Sequence, residues 1–156
     1  NPSIIVEIHN DAIDENNIIN YLKNIDLVID GTDNFKSRYA ISDACTLLGI
    51  PWVYGAVYRF EGQVSVFNAS KKDGRGGCYR CLFPQSYSYN TAQNCTEAGV
   101  LGVVPGIIGL LQATEALKHL IGIGESLQGR LLNIDLLSMK MHETKLLADP
   151  ECLACK

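Results

Sequence analysis

Apolar and polar positions follow each other along the chain in a pattern that predicts an α/β fold. Short runs rich in β-branched or apolar residues predict five strands, at 3–8, 25–29, 52–57, 63–67 and 130–135. Helical spacing of apolar positions predicts three helices, at 13–24, 35–48 and 98–121. Because strands alternate with helices, the pattern favours a mixed, mainly parallel sheet with flanking helices. After residue 135 the pattern ends, and the sequence predicts a tail.

Local signals bound the helix at 35–48 most clearly. Thr32 or Asp33 can cap its N-terminus. Gly49 suits the position after its last residue, and Pro51 prevents its continuation. For the helix at 98–121, the sequence leaves open whether it is continuous or broken at Pro105. The turn at 60–62 predicts an antiparallel return between the two strands that it joins.

Composition excludes several classes of protein. The chain has 156 residues, of which 47% are hydrophobic and 19% charged, and its net charge is -4. Because the chain has a negative net charge and no broad basic surface is expected, we expect no nucleic-acid partner. The longest apolar stretch, 99–111, is shorter than the about 20 residues of a transmembrane helix, so we expect no membrane partner. No secretory leader is visible at Asn1, and we expect a cytoplasmic protein that continues upstream of this residue.

Four of the six cysteines form two Cys-x-x-Cys pairs, Cys78 with Cys81 and Cys152 with Cys155. Each pair can occupy one edge of the tetrahedron that Zn²⁺ prefers, and four thiolates leave no open coordination position. The spacing therefore predicts a structural zinc site with four cysteine ligands, which joins the C-terminal residues to the middle of the chain. Disulfides or a redox dithiol are the alternatives, and thiols are expected to stay reduced without a secretory leader.

The two remaining cysteines have different surroundings. Cys45 lies within helix 35–48 beside leucines, which predicts a buried apolar role. Cys95 lies in a polar, aperiodic stretch just before helix 98–121. A thiol at a helix N-terminus can have a lowered pKa and act as a nucleophile. Both an inert and a nucleophilic Cys95 stay open at this point.

The segment 30–34, Asp-Gly-Thr-Asp-Asn, joins an apolar strand to a helix. Ligands bind at the carboxyl ends of parallel strands. A carboxylate placed there can hold Mg²⁺ against nucleotide phosphates. The same Asp and Asn types also serve as capping residues that bond the backbone. The residues alone leave a nucleotide site and a capping turn as alternatives.

Taken together and in this order, the motifs of the chain resemble the MoeB/ThiF/HesA family, which is related to the ubiquitin-activating enzymes. The motifs are the segments 30–34, 38–45, 59–67, 78–84, 95–102, 105–109 and 112–115 and the final cysteine pair. The resemblance covers essentially the whole chain. It implies a Rossmann-like fold in which residues 1–156 form the C-terminal portion of a single adenylation domain.

The resemblance also implies an activity, ATP-dependent adenylation of the C-terminal Gly-Gly of a ubiquitin-like sulfur carrier of the MoaD or ThiS type. Such a reaction feeds molybdopterin, thiamine or thiolated-tRNA synthesis. By the same resemblance, Asp33 and Asn34 match the residues that bind ATP and Mg²⁺, and Cys95 matches the family's catalytic cysteine. The four paired cysteines match its zinc ligands. The implied partners are a second copy of the protein in a homodimer and a sulfurtransferase.

One departure from the family pattern changes the expectation for this chain. The glycine-rich phosphate loop, the ribose-binding acid and the cations that contact phosphate lie upstream in relatives, and no Gly-x-Gly-x-x-Gly precedes Asp30. The isolated chain is therefore expected to adenylate inefficiently. A non-catalytic, zinc-stabilised module that binds a ubiquitin-like partner is the alternative. A nicotinamide-dependent oxidoreductase is disfavoured, because the cysteine pairs have no place in it.

Overall fold

A computed structural model describes residues 1–68, 76–84 and 99–154. The helices are α1 (Ile18–Tyr21), α2 (Phe35–Leu48), α3 (Tyr79–Leu82) and α4 (Val103–Ile121). The strands are β1 (Val28–Ile29), β2 (Trp52–Tyr58), β3 (Glu61–Phe67), β4 (Arg130–Asp135) and β5 (Lys140–Lys145). They form one sheet in which the spatial order of the strands follows the chain from β1 to β5.

The sheet is mixed, as the sequence predicts, but the expected parallel majority is wrong for the described strands. Only β1 and β2 pair in parallel among them, whereas the pairs β2–β3, β3–β4 and β4–β5 are antiparallel. Parallel neighbours need a crossover connection, and α2 supplies one between β1 and β2. Short turns join β2 to β3 and β4 to β5, so these neighbours must run in opposite directions.

Helix α2 forms over the predicted range because both of its ends are specified locally. Asn34, rather than the predicted Thr32 or Asp33, caps the N-terminus: its side-chain oxygen accepts a hydrogen bond from the Ser37 N–H at 2.8 Å. Gly49 follows the last residue with φ 70°, a left-handed conformation that glycine adopts without strain.

Two apolar layers lie on opposite faces of the sheet. On the first face, α2 and α3 cover an aromatic cluster in which the Tyr79 ring contacts those of Trp52, Tyr54 and Phe67. On the second face, α4 packs on valines of β2 and β3. The close approach of α4 depends on Gly55 of β2, because a Cβ atom there would overlap the side chain of Gln112.

Helix α4 runs without interruption from Val103 to Ile121. Pro105 does not break it, because this proline lies in the first helical turn, where a backbone N–H has no intrahelical acceptor. The helix carries two charged residues, Glu115 and Lys118, within its last turns. Among the described residues, no helix combines the length and the apolar composition that crossing a membrane requires.

Other segments also differ from the sequence prediction. Residues 3–8 form no strand, and Ile5 and Ile8 are 91% and 86% exposed. No described strand pairs with this segment, and a strand is stable only beside a partner. The predicted helix at 13–24 is reduced to the single turn α1. The predicted tail contains β5, which pairs with β4 along its whole length.

Candidate functional site

The turn at 30–34 lies at the carboxyl end of β1, where the sequence places a ligand site. The Asp30 N–H donates to the Val53 carbonyl of β2 at 3.1 Å, which continues the parallel pairing into the turn. The Asp30 carboxylate is buried and accepts a hydrogen bond from the Thr32 N–H at 2.7 Å. This bond closes an Asx-type turn, so the turn is shaped by the first of its two aspartates.

The second aspartate, Asp33, is exposed at the N-terminus of α2. Its carboxylate accepts one hydrogen bond, from the Asn34 side-chain amide at 3.4 Å. The Asn34 oxygen is occupied by the helix cap. Asp33 is therefore available to a cation or a ligand at the surface, whereas the Asn34 side chain already has a structural role.

Arg38 holds the turn from inside, a role that sequence reasoning did not assign to it. Its guanidinium donates to the Thr32 carbonyl at 2.6 Å, and its Nε lies 4.0 Å from an Asp30 carboxylate oxygen. The guanidinium also lies over the Tyr54 ring, 5.6 Å from the ring centre. The one sequence feature that could have indicated this role is the position of Arg38, which lies about one helical turn after Asn34 on the buried face of α2.

The polar groups beneath the turn are incompletely paired. Among the described residues, one Asp30 carboxylate oxygen, the Thr32 hydroxyl and the Arg38 Nε are buried without a hydrogen-bond partner. Burial raises the pKa of Asp30 above its ordinary value of 3.8, although the hydrogen bond from the Thr32 backbone N–H and the Arg38 charge act in the opposite direction. Unpaired buried groups are uncommon in structural turns, which favours a ligand-binding turn over a simple cap.

A cluster of three thiols lies at the N-terminus of α3. Cys78 comes directly before this helix, Cys81 lies within it, and Cys152 comes from the C-terminal segment. The Cys78 sulfur lies 3.8 Å from that of Cys81 and 3.6 Å from that of Cys152. Zn–S bonds of about 2.3 Å at tetrahedral angles require sulfur atoms about 3.8 Å apart. The three described thiols therefore fit a tetrahedral metal ion.

Two further contacts fix this thiol cluster. The Asp149 N–H donates to the Cys81 sulfur at 3.3 Å, which holds the C-terminal segment against α3. Arg80, between the two cysteines of the motif, pairs with both carboxylate oxygens of Asp43 on α2, at 2.7 and 2.6 Å. The Arg80 guanidinium lies 4.8 Å above the centre of the Tyr39 ring. The thiol cluster and the turn at 30–34 are thus both attached to α2.

The remaining predicted site residues are placed as follows. Cys45 is fully buried, as predicted, and burial raises its pKa to about 12, so it is an inert apolar residue. Cys95 and Cys155 lie outside the described residues. The structure therefore brings together three of the four predicted metal ligands and places Asp33 and Asn34 side by side in one turn.

Comparison with known proteins identifies relatives across this chain. The ThiF family model matches residues 1–154. The sulfur carrier protein adenylyltransferase of Thermus thermophilus is 44% identical over 99% of this chain, and the SAMP-activating enzyme E1 of Haloferax volcanii is 41% identical over 99%. The adenylyltransferase and sulfurtransferase MOCS3 of Arabidopsis thaliana is 43% identical over 99%. The chain spans 58%, 56% and 33% of the lengths of these three relatives.

Solved structures give the same fold at much lower identity. The complex of Escherichia coli MccB with ATP superposes with a TM-score of 0.74 over 95% of this chain and 45% of its own, at 14% identity. A heterocyclase in complex with substrate and cofactor gives a TM-score of 0.59 over 83% of this chain and 20% of its own, at 15% identity. Because the family model covers nearly every residue and agrees with this fold, the chain belongs to the ThiF family.

Proposed function

We propose that the protein containing this chain adenylates the C-terminal Gly-Gly of a ubiquitin-like sulfur carrier at the expense of ATP. The observation that supports this most directly is the 44% identity, over 99% of the chain, with a sulfur carrier protein adenylyltransferase. The proposal places the chain in the C-terminal portion of the adenylation domain; the chain spans 58% of the length of that relative. The isolated 156 residues are expected to be inactive without the phosphate-binding portion.

The proposed reaction joins two anions, which is its physical difficulty. A terminal carboxylate oxygen of the carrier attacks the α-phosphorus of ATP, the bond to the bridging oxygen breaks, and pyrophosphate leaves with its electron pair. The products are an acyl-adenylate and pyrophosphate. The protein must hold both anions in line and offset their repulsion with fixed positive charge and dipoles.

Among the described residues, Asp33 is the one that we assign to Mg²⁺, because its carboxylate is exposed beyond the end of β1 and carboxylate oxygens are the ligands that Mg²⁺ prefers. When bound, the ion supplies positive charge at the phosphates. Asn34 orients the turn by capping α2, and its side-chain amide touches Asp33. Arg38 keeps the turn in shape through its bond to the Thr32 carbonyl.

The metal at the thiol cluster is proposed to be Zn²⁺, held by Cys78, Cys81, Cys152 and Cys155. Three of these thiols have the spacing of a tetrahedral site, and the fourth lies three residues after Cys152 in the sequence. Four thiolates leave no position open for substrate, so the ion has a structural role. It would hold the C-terminal segment on α3 and, through Arg80, on α2.

Cys95 is proposed to accept the acyl group after adenylation. Its thiolate attacks the carbonyl of the acyl-adenylate, a thioester forms, and AMP leaves. This role rests on the resemblance of its sequence motif.

The pathway is proposed to be molybdopterin, thiamine or thiolated-tRNA synthesis. The enzyme is proposed to be a cytoplasmic homodimer with a sulfurtransferase as its partner. A relative named as both adenylyltransferase and sulfurtransferase supports the last point.

A pyrophosphate exchange assay tests the nucleotide side of this proposal. The intact protein, given a carrier, ATP and Mg²⁺, should move labelled pyrophosphate into ATP. An Asp33→Asn variant should lose about a hundredfold in rate, the scale of removing one preorganised electrostatic contact. Asp26→Asn is the matched control, because Asp26 is an exposed aspartate at the opposite end of β1. Equal rates for Asp33→Asn and the wild type would contradict the role of Asp33.

A further inference from the structure

Gln112 interrupts the apolar face with which α4 packs on the sheet. Ile108 and Val104 lie about one and two helical turns before it on this face, and both are buried among valines of the sheet. Gln112 is buried as well. Burying a carboxamide costs free energy unless its lost hydrogen bonds to water are replaced. For packing alone, an apolar side chain would be the simpler choice at this position.

The Gln112 amide is bonded to both of the parallel strands. It donates to the Asp30 carbonyl at 2.7 Å and to the Val53 carbonyl of β2 at 3.2 Å. Asp30 is the residue at which β1 runs into the turn at 30–34, and its own N–H donates to the same Val53 carbonyl at 3.1 Å. One side chain of α4 therefore holds the point from which the turn departs.

This bond takes the place of the next step of the ladder between β1 and β2. After the bond from the Asp30 N–H to the Val53 carbonyl, a parallel ladder would continue with a bond from the Gly55 N–H to the Asp30 carbonyl. In the part of the chain that the structure describes, the Asp30 carbonyl accepts from Gln112 instead, and the pairing with β1 goes no further. Strand β2 itself continues to Tyr58. Gln112 therefore ends the pairing at the point where the chain turns away.

Gly55 provides the space that the amide needs. A Cβ atom at Gly55 would overlap the carbon, nitrogen and oxygen atoms of the Gln112 carboxamide. Glycine inside a strand weakens it, because it brings no side chain to the packing, and it often marks a close approach of another group. Here the approaching group is the Gln112 side chain, so the glycine of β2 and the glutamine of α4 form one unit.

The position of Asp30 determines where the rest of the turn lies. Its N–H is bonded to β2, its carbonyl accepts from Gln112, and its carboxylate accepts from the Thr32 N–H at 2.7 Å. Asp33 follows three residues later in the chain, so these bonds place its exposed carboxylate relative to the sheet. Arg38 bonds the same turn from the α2 side. Gln112 is the corresponding contact from the α4 side.

We propose that Gln112 is a positioning residue for the metal–nucleotide site. By ending the β1–β2 ladder at Asp30, it sets the position of the turn at 30–34 and therefore of the Asp33 carboxylate. This inference rests on the proposed function, which assigns Mg²⁺ and ATP to the turn. It adds a buried residue of another element that acts through Asp30. Its loss should weaken the binding of the metal–nucleotide complex and leave the binding of the carrier unchanged.

The test uses the intact protein with the variants Gln112→Ala and Gly55→Ala and with the double variant. Mn²⁺ replaces Mg²⁺ as a paramagnetic probe, so that the binding of Mn²⁺–ATP is measured by electron paramagnetic resonance. Urea unfolding measures the stability of each variant. Each single variant should weaken Mn²⁺–ATP binding about tenfold, the scale of one lost hydrogen bond, and should also lower the free energy of unfolding. The KM for carrier should not change.

The double variant separates positioning from packing. The methyl group added at position 55 occupies the space that the carboxamide leaves in Gln112→Ala, so the double variant should be more stable than Gln112→Ala. It still lacks the bonds to the Asp30 and Val53 carbonyls, so its affinity for Mn²⁺–ATP should stay about tenfold below that of the wild type. Recovery of both the stability and the affinity would mean that Gln112 has only a packing role, which would overturn the inference.

The matched control is Thr114→Ala, on the exposed face of α4, where the Thr114 hydroxyl donates to the Leu110 carbonyl of the same helix at 2.8 Å. It should bind Mn²⁺–ATP as the wild type does. If the wild type and Gln112→Ala bind Mn²⁺–ATP equally well, the role of Gln112 is contradicted alone. If Gln112→Ala binds more weakly but the wild type adenylates no carrier, the role of Gln112 stands and the proposed function fails. A wild type that does not bind Mn²⁺–ATP contradicts both.

Discussion

Asp30 is the residue of the candidate site whose chemistry depends most on its surroundings. Its side chain is fully buried under the turn, and the nearest described cationic atom, the Arg38 Nε, is 4.0 Å away. Desolvation is the largest influence on its pKa and raises it, with Arg38 offsetting only part of the effect. The folded protein therefore binds a proton at Asp30 more tightly than the unfolded chain does.

This raised pKa has a consequence for stability. Between 3.8 and the higher folded pKa, the folded state holds more protons than the unfolded state, so the contribution of Asp30 to stability is lost as pH rises. The free energy of unfolding of the wild type minus that of Asp30→Asn should therefore fall as pH increases from 3.8 upward. Urea unfolding at several pH values measures this difference. A difference that grows with pH would mean that the Arg38 charge outweighs burial.

The sequence located the turn at 30–34, and the ligand-binding roles that it assigned to Asp33 and Asn34 stay predictions. In the structure Asp33 is exposed, and the Asn34 side chain caps α2. The structural roles of Asp30 and Arg38 could not be predicted. They arise because both side chains are buried beneath the turn and because the Arg38 guanidinium lies over the Tyr54 ring. Those contacts join residues from three separate elements, and no local pattern encodes them.

At the scale of elements, α4 packs closely against the sheet at Gly55. Gln112 of α4 donates to the Asp30 carbonyl at 2.7 Å and to the Val53 carbonyl at 3.2 Å. It therefore bonds the ends of both β1 and β2, and Gly55 leaves the space that its side chain occupies. Helix α4 thus supports the turn at 30–34 from the side opposite α2.

Substitution of Gly55 should show how much this close packing contributes. A Gly55→Ala methyl group would displace Gln112, so we expect a loss of about 1–3 kcal/mol in the free energy of unfolding, the range for overpacked cores. Gly106→Ala is the matched control, because no atom lies near a Cβ placed at that helical position. It should add about 0.5–1 kcal/mol. Chemical denaturation compares the two variants; similar effects of both substitutions would contradict close packing of Gln112 against Gly55.

Elements with local signals were predicted well, and elements defined by distant pairing were not. Helix α2 has its cap, its C-terminal glycine and its following proline in the sequence, and its range was predicted correctly. Strand β5 was missed because every residue in it is exposed, so no apolar alternation marks it. The antiparallel return between β2 and β3 was predicted from the turn at 60–62 and is confirmed. The expected parallel majority was wrong, because the pairings of β4 with β3 and with β5 depend on which strands meet in space.

For the molecule as a whole, the thiol cluster joins the C-terminal segment to the middle of the chain. Cys152 reaches Cys78 across most of the second half of the sequence. A structural zinc ion contributes on the order of 10 kcal/mol at neutral pH, which is comparable with the whole stability of a domain. The proposed zinc ion would therefore stabilise the fold of the C-terminal segment.

Metal analysis tests this dependence. The purified protein should contain one zinc ion per chain, and serine at Cys78, Cys81, Cys152 or Cys155 should abolish zinc binding and lower the Tm. The matched control is Cys45→Ser, since Cys45 is buried away from the thiol cluster and should leave the zinc content unchanged. Elemental analysis and thermal unfolding provide both readouts. A protein without zinc, or a serine variant at the cluster that keeps it, would contradict the zinc assignment.

The central claim is that the intact protein forms an acyl-adenylate on a sulfur carrier, and mass spectrometry of the carrier tests it most directly. The intact protein is incubated with ATP, Mg²⁺ and either a MoaD-like or a ThiS-like carrier ending in Gly-Gly. The prediction is that one of the two carriers gains the mass of AMP at its C-terminus, which also identifies the pathway. If neither carrier gains AMP and the protein does not bind ATP, the claim of adenylation is wrong and the protein is a non-catalytic binding module.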